Sequence, residues 1–101
     1  MWLPLNISER LSALSEEIAE EQTQLRILDE QVTFQQDVAE EARIRALVSE
    51  TPLADREARE AADDLRRLVR SREEALARVA ELRGEQDSLL ERMLDEVRES
   101  T

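Results

Sequence analysis

Apolar residues recur along the first half of the chain in alternating steps of three and four. The series is Ile7, Leu11, Leu14, Ile18, Glu21, Leu25, Leu28, Val32, Gln35, Ala39, Ala42, Ala46 and Ser49. Only Glu21, Gln35 and Ser49 interrupt it, so one stripe of a long helix is apolar, as the a and d positions of a heptad repeat are. The second half repeats the pattern with Ala54, Ala58, Ala61, Leu65, Leu68, Arg72, Ala75, Val79, Leu82, Gln86, Leu89 and Met93, broken only at Arg72 and Gln86.

The two series are out of phase. Continued past Ser49, the first would place Leu53, Arg56 and Glu60 on the seam, where the second uses Ala54, Ala58 and Ala61. Pro52 lies at the break. Inside a helix a proline removes a backbone hydrogen bond and clashes with the preceding turn, at about 3 kcal/mol, whereas at the first helical position it costs little. Thr51 as N-cap, Pro52 behind it and Asp55 in the first turn form a helix start. Asn6 followed by Glu9 has the spacing of a capping box and marks the earlier start. The pattern predicts helices over 7–49 and 52–98 joined at 50–51. The whole chain, 1–101, then reads as a single helical hairpin, because so short a connection favours antiparallel neighbours. The fold class is all-α, an antiparallel two-helix coiled coil.

The polar interruptions suggest a register. Pairing Leu14 with Met93, Ile18 with Leu89, Leu25 with Leu82 and Ala46 with Ala61 also sets Glu21 opposite Gln86 and Gln35 opposite Arg72. Four polar seam residues then form two layers that can hydrogen-bond internally, sparing about 1–3 kcal/mol for each polar group otherwise left unpaired. Near the turn the seam narrows to Ala39, Ala42, Ala46, Ala58 and Ala61, so that end is expected to be thin and weak, with the bulky layers toward the termini.

The apolar stripe is wider than two helices need. Val69, Leu76, Leu90 and Val97 recur beside the second seam, and Ile27, Phe34 and Val38 beside the first. An extra apolar position per heptad is the mark of a bundle helix. A lone two-helix hairpin also buries a small fraction of its surface. These residues are therefore the expected interface with a protein partner, a homo-oligomer and first of all a dimer. Trp2, Leu3 and Leu5 add an apolar patch at the open end, read either as a plug over the bundle or as a docking segment.

Composition narrows the chemistry. Charged residues make up 39% of the chain and aromatic ones 2%, the profile of long helices rather than of a sheet. Cysteine and histidine are absent and all fourteen basic residues are arginine, which removes thiolate, imidazole and lysine chemistry. A net charge of −11 opposes nucleic-acid binding. No apolar run is long enough to span a membrane, and the first residues lack a signal-peptide pattern, so a cytoplasmic protein is expected. No cofactor is expected.

Three resemblances bear on function. Glu16, Glu17 and Glu20, with Asp37 and Glu40, form E-E-x-x-E and D-x-x-E patterns that resemble the carboxylates of MazG-type nucleotide pyrophosphohydrolases, which implies magnesium held between helices. On one straight helix these clusters stand about 30 Å apart and cannot meet on one ion. The acidic finger tip, with Glu50, Pro52, Asp55 and Glu57, resembles in architecture the Gre-type factors that enter the RNA polymerase secondary channel. That resemblance implies a transcription regulator acting through tip acids, without the family's glycine-containing tip motif or its globular domain. Size and shape are similar to WXG-type helical hairpins, but the only tryptophan is Trp2 and the turn is Thr51-Pro52. The reading that uses most of the chain is a non-enzymatic coiled-coil interaction module, a scaffold, adaptor or regulatory subunit.

Overall fold

The computed structural model describes residues 6–100. Two helices account for nearly all of them: α1 over Asn6–Ser49 and α2 over Pro52–Ser100. They pack against each other as an antiparallel hairpin measuring 75 × 24 × 15 Å. The expected limits differ from these by one or two residues at the outer ends. Trp2, Leu3 and Leu5 lie outside the described residues.

The reversal is built from two complementary helix ends. Glu50 adopts φ 51°, the left-handed conformation that closes a helix, and its N–H donates to the Ala46 carbonyl at 3.1 Å. Thr51 then opens α2. Its Oγ1 accepts from the Ala54 N–H at 3.2 Å and its carbonyl accepts from the Asp55 N–H at 3.0 Å. Pro52 occupies the first helical position, where the missing N–H has no intrahelical role.

Every fully buried residue among those described lies on the two heptad series. Ile7, Leu14, Ile18, Leu82 and Leu89 form the main cluster, with Leu11 and Met93 packed against it. Leu14 is fully enclosed, at 0% exposure. Toward the turn the buried seam residues are Ala42 and Ala61.

The register differs from the one expected. The pairing of Leu14 with Met93 is centred between Leu53 and Ala54, inside α2, which would require the first turn of α2 to unwind. With α1 running to Ser49 and α2 starting at Pro52, the hairpin is centred on the Glu50–Thr51 connection, and the helices are displaced by about one heptad. Arg10 meets Glu85, Glu21 meets Arg78 and Asp29 meets Arg72. The proposed polar layers therefore do not form. Glu21 Oε1 lies 3.7 Å from Arg78 Nε instead of facing Gln86. Gln35 Nε2 donates to the Ala61 carbonyl at 3.1 Å, and Arg72 turns to Asp29 at 3.6 Å. Glu21, Gln35 and Arg72 find backbone or flanking partners, and among the described residues Arg72 Nε is the one buried side-chain nitrogen or oxygen without a hydrogen bond.

The chain exposes 7539 Å². A compact monomer of 11.7 kDa would expose about 5,900 Å². The excess follows from the single two-helix seam.

Candidate functional site

The flanks of the seam differ in chemistry from side to side. At the open end, one side is held by charge. Arg10 lies within 2.7 Å of Glu85 across the helices and 3.3 Å from Glu17 on its own helix. The hydrogen bond from Arg10 holds the Glu85 carboxyl below its ordinary pKa, and in return Glu85 raises the guanidinium further. Nearer the turn the ion pairs run within a helix, Arg43 with Glu40, Arg66 with Asp63 and Arg67 with Asp64. These hold each helix internally without tying the two together. Arg43 keeps Glu40 below the usual carboxylate range, mainly through its hydrogen bond.

Along the middle of α1 an apolar flank opens to solvent. Ile27 and Phe34 line a groove with Glu30, Gln31, Gln35 and, from α2, Leu68. Phe34 is 70% exposed, although it is the only phenylalanine in the chain. Isolated exposed apolar side chains are ordinary, but an aromatic in a groove beside a second apolar residue forms a patch. The half-buried Val38 continues the same side toward the turn, where Arg45, Glu57, Glu60 and Asp64 surround it.

On α2, Leu76, Leu90 and Val97 are exposed and Val69 is half-buried. Leu94 is exposed among them; it lies off the every-seventh-residue series but on an alternating three–four step from Leu90. The turn holds a second surprise. Glu50, Pro52, Asp55 and Glu57 are all exposed, but Ile44, Leu47, Val48 and Leu53 are exposed as well, Val48 at 80%. The tip is thus as apolar as it is acidic. Glu50 and Asp55 already have conformational roles in closing α1 and opening α2.

Glu16, Glu17 and Glu20 remain far from Asp37 and Glu40 on the unbroken α1. Among the described residues, no group of three or more carboxylates is arranged to hold a metal ion. No described helix is long and apolar enough to cross a membrane. No protein-family model, curated protein or solved structure matches the chain.

Proposed function

We propose that this chain is a non-enzymatic coiled-coil interaction module of the cytoplasm, acting as a scaffold, adaptor or regulatory subunit. Its hairpin is an elongated rod whose outer flanks receive other helices. The Phe34 groove is the docking site for a partner protein, and an amphipathic helix fits it best. Such a helix would place apolar residues at helical spacing on Ile27, Phe34 and Val38. Acidic side chains border these residues, Asp29, Glu30 and Asp37 around Phe34 and Glu57, Glu60 and Asp64 around Val38, with Arg26 and Arg45 the arginines among those lining them. A basic rim on the partner would complement that border and speed its encounter.

The observation that carries this reading is the exposure of Phe34 in a groove between the two helices. Aromatic side chains bury large areas and are frequent anchors of interfaces. The residue inventory agrees in part, since a chain without cysteine, histidine or lysine has no thiolate, imidazole or amine to act as nucleophile or base. The test is affinity capture with the wild-type chain and with Phe34→Glu, each checked for unchanged helicity. A protein retained by the wild type and lost from the variant supports the reading. Identical capture by both contradicts it.

A further inference from the structure

The outer flank of α2 carries a complete second heptad seam. Leu76, Ala80, Arg83, Asp87, Leu90 and Leu94 follow one another in alternating steps of four and three, and Val97 extends the series. All seven are exposed. This seam lies on the side of α2 away from Glu85, which pairs with Arg10. Its neighbours on α1 are Ser8, Ser12, Ser15 and Ala19, which are exposed, small and uncharged. The open end of the hairpin thus has one charged, ion-paired side and one apolar side.

We propose that the apolar side is covered by a second copy of this chain, with the two α2 helices antiparallel and a two-fold axis crossing them near Glu85. The inference rests on the interaction-module reading and names the occupant of a different flank. Charge complementarity sets the register. About that axis, Arg83 of each copy faces Asp87 of the other, and neither residue has an ion-pair partner among the described residues of its own chain. Leu76 then faces Leu94, and Ala80 faces Leu90, each contact occurring twice as a two-fold requires. The overlap ends where Val97 meets Glu73. Sliding the copies by one heptad would set Arg83 against Leu94 or Ala80, leaving the charges against apolar side chains. Only one register satisfies both the leucines and the charges. The small residues along α1 leave room for the incoming helix, so the assembly is a four-helix bundle at the open end with the two turns pointing in opposite directions.

Sedimentation equilibrium of the full chain tests this. The wild type is expected to dimerise in the micromolar range. Arg83→Asp alone, which sets aspartate against Asp87, and Asp87→Arg alone, which sets arginine against Arg83, are each expected to weaken the dimer at least about tenfold. The double exchange R83D/D87R restores complementarity and should recover most of the loss. Both substitutions lie on the exposed flank, and circular dichroism verifies that the hairpin persists in all three variants. A wild type that stays monomeric overturns the proposal, as does a dimer indifferent to both single exchanges. Neither result touches the partner reading, which is judged by Phe34→Glu on the other side of the hairpin. Identical capture by wild type and Phe34→Glu, with an intact, exchange-sensitive dimer, would instead overturn that reading and leave this one standing.

Discussion

The open end and the turn end of this hairpin share one heptad pattern and differ in almost everything that gives it strength. Toward the open end the seam is filled by Ile7, Leu14, Ile18, Leu82 and Leu89, and Arg10 and Glu85 bridge the helices. Toward the turn the buried residues are Ala42 and Ala61, and the ion pairs of Glu40, Asp63 and Asp64 close within their own helices. The first end is held by buried area across the seam, and the second by covalent connection and helix propensity. Periodicity alone specifies which residues meet; side-chain volume decides how much the meeting stabilises.

The largest effect expected from a single substitution is therefore at the open end. Leu14→Ala removes a fully enclosed side chain and should lower the free energy of unfolding by about 3 kcal/mol, read from urea melts followed by circular dichroism. Ala42→Gly, at the matching seam position near the turn, should cost about 1 kcal/mol, mostly as helix propensity. Equal losses at the two sites would break the comparison.

Next in size is a gain. Arg72 interrupts the seam with a buried Nε that has no partner among the described residues. Arg72→Leu should raise stability by about 1 kcal/mol, since replacing an imperfectly satisfied seam charge with an apolar residue of similar volume is often stabilising. At the turn, Glu50 holds a conformation that favours glycine. Glu50→Gly should add a little under about 1 kcal/mol, and the same melts would detect it.

The smallest effect is one of pH. Glu85 titrates below an unperturbed glutamate because Arg10 hydrogen-bonds its charged form. Its folded-state pKa is thus lower than its unfolded one, so its contribution is present above the ordinary carboxylate pKa and is lost as pH falls through the folded value. Wild type and Glu85→Gln melted side by side should differ near neutrality and converge in acid. A constant difference would mean the ion pair does not govern it.

Much of this architecture was readable from residue types. The phase break at Pro52, the cap at Thr51 and the seam series all correspond to observed features, because each rests on local backbone chemistry or on strict periodicity. The register was misread for a related reason. A heptad seam matches itself after any shift of seven, and the coincidence that brings Glu21 to Gln86 and Gln35 to Arg72 marks only one of those shifts. Counting outward from Glu50 and Thr51 would have chosen differently, since a two-residue connection leaves no slack. Polar seam residues proved a poor guide because long side chains leave the layer. Arg72 reaches Asp29 and Gln35 reaches a backbone carbonyl. The exposed Ile44, Leu47, Val48 and Leu53 at the turn were missed because no seam periodicity marks them.

The most direct test of the reversal and its register is a pair of electron–electron distances in this cysteine-free chain, with labelled protein diluted into unlabelled. One sample carries spin labels at Glu20→Cys and Glu81→Cys, close to the contact between Glu21 and Arg78. The other carries them at Glu20→Cys and Ser88→Cys, about 10 Å farther along α2. The structure predicts the shorter distance for the first pair. The reverse order would contradict the register, and separations near the roughly 90 Å and roughly 100 Å of an unbroken rod would contradict the hairpin itself.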